Sequence, residues 1–358
     1  MKNYFKKAAL FLLAVMCAGC ATTSKGVVAT GGDRSQGGAP VWVTDVKAAY
    51  PESEWLTAVE TASTKDMAAS KASSSLAAIF KVDVKGVATA MQNISSFGGG
   101  AYSKSMGLDE QIQTTVDVAG LMGVLHDSWT GPDGKEWSCA RMNRKSGTET
   151  YTALIKDNAG NINTLIADAA KSKGTFDAYQ TLGFAYNLAI ITDNYMDLLS
   201  VLNTAARNAI KFDYGNAASV RALIQNAAAA VVVNVTVTTD TSGRIAKAFS
   251  EVFTARGFRT SSSASTATYI LKVTFKQSDV DLPQNPNKFV RYEITASLTD
   301  SKTGKEAVNF SANDRSGHSN VSEARQRSLR DAEKKITDTT DEDGFAVQFD
   351  GYIASLLK

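Results

Sequence analysis

The first twenty residues decide where the rest of the chain must fold. Met1–Cys20 opens with a short basic segment (Lys2, Lys6, Lys7), runs through the apolar stretch Ala8–Met16 and closes on Cys17-Ala18-Gly19-Cys20. A basic start, an apolar core and small residues before a cut describe a secretory signal. Small residues directly ahead of a cysteine also fit cleavage by a bacterial lipoprotein peptidase, which leaves Cys20 as a diacylated N-terminus. Cys17 stands where such boxes usually carry Leu. One alternative is an ordinary secretory signal cut elsewhere. Another is a membrane-spanning anchor, which needs about 20 apolar residues, more than this run supplies. Residues 1–19 are read as a lipoprotein signal peptide, and the rest of the chain as an exported body held at a membrane by lipid.

Export sets the charge and the cysteine chemistry. Removing residues 1–19 takes away three lysines and no acid, so 38 basic residues become 35 against 36 acidic ones, a net charge of −1. A body so nearly neutral has no charge-driven attraction to nucleic acid or to an anionic membrane. Membrane association must come from the acyl chains, at about 0.8 kcal/mol per buried methylene. Of three cysteines, Cys17 leaves with the signal, Cys20 carries the lipid and Cys139 alone remains in the body. No intramolecular disulfide can form, so the fold rests on its apolar core, and the length suggests two domains. Cys139 lies in an alternating strand and reads as a small core residue.

Residues 20–39 combine the lipidated cysteine with a tether rich in Gly, Ser and Thr. Such a segment cannot cover the entropy of ordering, and nineteen residues of coil span roughly 25 Å. The first folded unit, residues 40–212, begins at Pro40-Val41-Trp42-Val43. A strand is expected at Trp55–Val59, then a helix opened by a Ser63/Asp66 capping box with Ala68, Ala72, Leu76 and Ile79 on one face. Phe80, Val82 and Val84 alternate with polar residues and read as a further strand. The glycine-rich Phe97–Gly107 lacks the Gly-Lys-Ser/Thr of a phosphate loop and reads as a hairpin connection. Ile112–Trp129 reads as a long strand that turns at Thr130–Gly134 into an antiparallel partner, Glu136–Met142. Tyr151–Ala169 and Phe176–Leu202 are two helical stripes that should form a hairpin on the sheet.

A helical connector, residues 213–230, leads to a second unit, residues 231–358. Val231–Val237 reads as a buried strand, and Ser242 as the cap of a helix with Ile245, Phe249, Val252 and Phe253 on its core face, ended by Gly257. Further strands are expected at Tyr269–Phe275, Val290–Leu298 and Ala307–Ala312, their clean alternation implying one buried and one solvated face. Two helices close the chain, one through Val321, Ala324, Leu329, Ala332 and Ile336, the other through Phe345, Phe349, Tyr352, Ile353 and Leu356. The reading is an α+β protein of two small helix-on-antiparallel-sheet domains joined through a long helical hairpin.

The sequence offers little chemistry. His126 neighbours Asp127 within a strand, so the two side chains point to opposite faces. His318 sits in the polar stretch Asn313–Asn320. Neither has Cys or His at ligand spacing, so no zinc site is expected. No Gly-x-Ser-x-Gly or nucleotide fingerprint is present. Asp338, Asp341, Glu342 and Asp343 lack EF-hand spacing and read as a solvated loop. Arg325, Arg327 and Arg330 interleave with Asp331 and Glu333 and read as an exposed salt-bridged helix face. No catalytic set, metal or cofactor is expected.

Residues 40–200 resemble the lipoprotein-20 family of bacterial outer-membrane lipoproteins. The matching pieces are the lipobox, Pro40-Val41-Trp42-Val43, Ala58-Val59-Glu60-Thr61-Ala62 before the helix with Ala68, Ala72 and Leu76, and Gly123-Val124 through Trp129 to Ala140-Arg141-Met142-Asn143-Arg144. Continued by a TolB-N-terminal-like unit, this arrangement is similar to that of flagellar assembly protein T. The resemblance implies a non-catalytic protein that docks onto envelope machinery, whether flagellar, cell-wall-building or secretory, from an outer-membrane lipid anchor facing the periplasm. The rival reading is a periplasmic hydrolase or a small-ligand-binding protein with an unrecognised site.

Overall fold

A computed structural model describes residues 38–80, 84–96 and 121–356. The signal peptide read at residues 1–19, Cys20, the tether up to residue 37, Val82, the glycine-rich segment and the 112–120 portion of the expected long strand lie outside the described residues. Residues 41–358 form one compact unit with two main apolar cores, each built on its own sheet. The α+β class read from the sequence holds.

Two one-turn helices, α1 (Val41–Thr44) and α2 (Val46–Ala49), precede β1 (Trp55–Ala62). Helix α3 (Lys65–Phe80) buries Ala68, Ala72 and Leu76 as expected, but Ile79 is exposed. Its start is held by Thr64, whose hydroxyl accepts from the Met67 N–H at 3.3 Å, in place of the expected Ser63/Asp66 box. The strand expected at Phe80–Val84 is contradicted at both of its ends, residues 81–83 lying outside the described residues. Phe80 ends α3, and Val84–Ser96 is helix α4. The reason lies in the residues beyond it. Val87, Ala90, Met91 and Ile94 stand at i, i+3, i+4 and i+7, all are buried, and this helical period outweighs three alternating apolar residues.

Strand β2 is Leu125–Thr130, shorter than the expected strand, and β3 is Glu136–Asn143. Both pair antiparallel in a three-stranded sheet ordered β1-β3-β2. Helix α5 (Arg144–Lys171) and helix α6 (Phe176–Leu202) form the expected hairpin. Between them Gly174 has φ +83°, a left-handed turn that any side chain would strain. Tyr151, Ile155, Ile162 and Leu165 of α5 meet Phe184, Leu188, Ile191 and Tyr195 of α6 in the first core, beside Leu56, Ala140 and Met142 from the sheet.

A short helix α7 (Thr204–Ala209) lies at the end of the region read as the first unit, and helix α8 (Ala217–Ala230) fills the one read as a connector. Helix α8 is no bare linker, since Val220 is buried in the first core and Ala228 in the second. The second sheet runs β5-β4-β6-β7-β8, from β4 (Val232–Thr238), β5 (Arg259–Ser261), β6 (Tyr269–Val280), β7 (Lys288–Asp300) and β8 (Glu306–His318). It is mixed rather than antiparallel, because β4 lies parallel to both β5 and β6. The helix after β4 carries the chain back across the sheet, so the returning strands run the same way. Strand β5, three residues long, is too short to show a period in sequence.

Helix α9 (Arg244–Thr254) presents Ile245, Phe249, Val252 and Phe253 to the core as read. Its cap is corrected. Gly243 takes the cap position at φ +69°, and Asp240 accepts from the N–H groups of Ile245 (2.9 Å) and Ala246 (3.3 Å). Helices α10 (Val321–Thr337) and α11 (Phe345–Ser355) close the core through Leu329, Ala332, Ile336, Phe345, Phe349 and Ile353, while Val321 is exposed.

The two cores share one helix. Phe176, the first residue of α6, is fully buried in the second core, while Phe184–Leu202 of the same helix fills the first.

Candidate functional site

The strongest polar construction in the first sheet grows from the β2–β3 register. Asp127 sits opposite Cys139, which sets its side chain diagonal to Arg141 on one face. Arg141 donates to Asp127 twice, from Nε at 2.7 Å and from Nη2 at 3.2 Å, in the planar two-point geometry that suits a guanidinium and a carboxylate. The guanidinium also lies 5.0 Å from the ring centres of both Tyr50 and Trp55. The Tyr50 hydroxyl donates to the same Asp127 carboxylate. Burial raises the Asp127 pKa, but hydrogen bonds from Arg141 and Tyr50 outweigh it and hold the carboxyl below the usual range. Burial, reinforced by Asp127, pushes the Tyr50 hydroxyl up to about 12. The cluster clamps the segment carrying α1 and α2 to the sheet, at the point where the described body begins.

Cys139, on the same face, is fully buried, and burial pushes its thiol up to about 12, so it is a poor nucleophile. His126 faces the other way, as strand alternation requires. Its Nε2 lies 3.1 Å from the Ser73 hydroxyl on α3 and its Nδ1 3.4 Å from the Ser138 hydroxyl. A serine within reach of an imidazole is half of a nucleophilic pair, but a hydroxyl stands where a carboxylate would orient the ring. The nearest glutamate in register, Glu60, accepts instead from Ser75 at 2.6 Å.

The remaining sequence candidates are structural. His318, in the polar stretch Asn313–Asn320, ends strand β8. The arginines of α10 tie the helix to other elements. Arg325 pairs with Asp279 at 2.7 Å and Arg327 donates to the Gly317 carbonyl at 3.0 Å. Glu333 accepts from Arg244 at 2.6 Å and Asp331 from the Ser316 hydroxyl. In the acidic loop Asp341 pairs with Lys335 at 2.8 Å, and Asp338 accepts from Thr340. Among the described residues no three His, Cys, Asp or Glu side chains converge as a metal site would need, and no helix is long and apolar enough to cross a membrane.

Two surface features remain, an open strand edge and a cleft. Strand β8 is thirteen residues long and, among the described residues, pairs only with β7, leaving its outer edge open. A cleft of about 540 Å³ opens between the C-terminal half of α6, helix α7 and the loop before α8. Its charged lining, Asp193, Asp197, Arg207 and Lys211, is spread over nineteen residues of sequence in three elements, which hides it from motif reading.

No protein-family model matches the chain, and no curated protein does. Among solved structures the chain is similar to the secreted protein HP1454 of Helicobacter pylori, at 13% identity over 83% of this chain and 97% of that one, with a TM-score of 0.40. It is also similar to a minor lipoprotein of Acinetobacter baumannii (15% identity, 30% of this chain, 90% of that one, TM-score 0.24). Lipoprotein GNA1162 of Neisseria meningitidis matches at 14% identity over 27% of this chain and 92% of that one, with a TM-score of 0.20. Likenesses this low in TM-score decide neither fold nor function. Neither the resemblance to the lipoprotein-20 family nor that to a TolB-N-terminal-like unit is supported by a family-model match.

Proposed function

We propose that the chain is a lipid-anchored bacterial envelope protein, held in the outer membrane through Cys20, that acts without catalysis by docking onto an envelope complex. The observation that carries the docking reading is the open edge of β8. Unpaired strand edges offer a row of backbone donors and acceptors to an incoming strand, and alternate side chains then select the partner. Asn309, Ser311 and Asn313 alternate along that edge strand and are exposed. A photo-crosslinking amino acid at Ser311 or Asn313, in intact cells, should trap a discrete envelope protein, while the same group at exposed Arg330 on α10 should not. Equal yields from all three positions, or none, contradict docking at this edge. The rival reading gains an observation for its ligand-binding half alone, the charged cleft beside α6.

A further inference from the structure

The cleft between α6, α7 and the loop before α8 is walled by opposite charges that do not neutralise one another. Asp193 and Asp197 stand four residues apart on α6 and so share one helix face. Arg207 on α7 and Lys211 just after it contribute the cations. Among the described residues, none of these four takes part in an ion pair within 4.0 Å. Like charges at that helical spacing repel, and a cation between Asp193 and Asp197 would relieve that repulsion. Met196, Ile210 and Phe212 supply apolar surface in the same cleft.

The walls are built rather than loose. Asp193 is half-buried, and its carboxylate accepts from the Ala217 N–H, the first residue of α8, at 3.0 Å. That bond fixes the acid wall to the helix start. Burial raises the Asp193 pKa, the Ala217 N–H lowers it, and Asp197 and Arg207 act on it with opposite sign, so Asp193 senses a charge from each wall. The loop is held by the stacked rings of Phe212 and Tyr214, 4.9 Å apart and 10° from parallel. It turns at Gly215, where φ is +82° and a Cβ would come within 2.7 Å of the Ser219 hydroxyl.

We infer that this cleft binds a small zwitterion of the amino-acid or short-peptide class, its ammonium held by Asp193 and Asp197 and its carboxylate by Arg207 and Lys211. A lone anion or cation would satisfy one wall and meet repulsion from the other. A molecule carrying both charges satisfies both walls, and the apolar surface takes its side chain. This inference stands apart from docking at β8, and failure of either leaves the other in place.

The test is titration of the full chain in detergent with leucine, with alanyl-alanine and with the acetylated, amidated form of each, followed by ligand-observed NMR. Saturable binding of leucine or alanyl-alanine, absent for the capped forms, is the expected result, and the better of the two identifies the source as free amino acid or peptide. Asp197→Asn and Lys211→Gln, both at exposed positions, should each weaken binding about tenfold with an unchanged melting temperature. Arg207→Gln should do the same from the half-buried wall. No saturable binding at millimolar probe, equal binding of the capped forms, or affinity unmoved by all three substitutions overturns the inference.

Discussion

Phe176 and Tyr269 are joined twice: their rings stack 4.0 Å apart at 30°, and the Phe176 N–H donates to the Tyr269 hydroxyl at 3.2 Å. Phe258 and Phe349 complete the surround, at 5.0 and 5.2 Å from the Phe176 ring. Helix α6 thus begins in the core of the mixed sheet and continues through the core of the three-stranded one. A helix shared in this way gives each core a stake in the other.

Phe176→Ala should therefore destabilise by about 3–5 kcal/mol, the range for emptying a buried aromatic site. Denaturant unfolding followed at probes in both cores should show both transitions moving to lower denaturant. Tyr269→Phe keeps the ring and deletes the hydroxyl, leaving the buried Phe176 N–H unpaired at a cost of about 1–3 kcal/mol. A shift confined to probes on the mixed sheet would show that α6 does not couple the cores.

The clamp at Asp127 gives stability a pH dependence with a fixed sign. Its folded pKa lies below the unfolded value, so its contribution is complete above the unfolded carboxylate range and is lost as pH falls through the folded pKa. His126 adds an earlier step of the same sign. Burial, only partly opposed by Asp127, lowers its pKa below 6.5, so the unfolded chain takes up that proton first and stability begins to fall there. Melting temperature against pH should fall in two stages. His126→Asn should remove the upper stage, and Asp127→Asn should shrink the lower, to which other carboxylates held below their usual range such as Asp240 also contribute, at the expense of a lower plateau near neutrality.

Cysteine reactivity offers a simple check of both burial and processing. Cys139 is fully buried with its thiol pushed up to about 12, so the native protein should resist alkylation. After denaturation the proposed processing, in which Cys17 departs with the signal and Cys20 carries lipid, predicts that one thiol per mature chain reacts. Intact mass after labelling reads the number directly. Two or more labels per mature chain would contradict lipid attachment at Cys20.

Much of the second core was legible because its strands alternate without interruption. Tyr269, Leu271, Val273 and Phe275, and Val290 through Leu298 at every second position, are buried as their spacing requires. The helical hairpin was legible for the same reason at a period of 3.6. What failed was local. Three alternating residues at Phe80–Val84 were too few to outweigh the helical period that begins at Val87, and Ser242 lost the cap to Asp240, whose carboxylate reaches further. The parallel pairing of β4 comes from tertiary return of the chain, which no window of sequence displays. The clamp was partly readable, since Asp127 and Arg141 alternate in phase across a hairpin. The charged cleft was not, because its walls come from three elements.

Fractionation of cells making Cys20→Ala tests the lipid anchor, and with it the reading of the chain as an envelope lipoprotein, most directly. The wild-type chain should sediment with the outer membrane, and the variant should appear in the soluble periplasmic fraction at similar abundance. Retention of Cys20→Ala in the membrane would contradict the account.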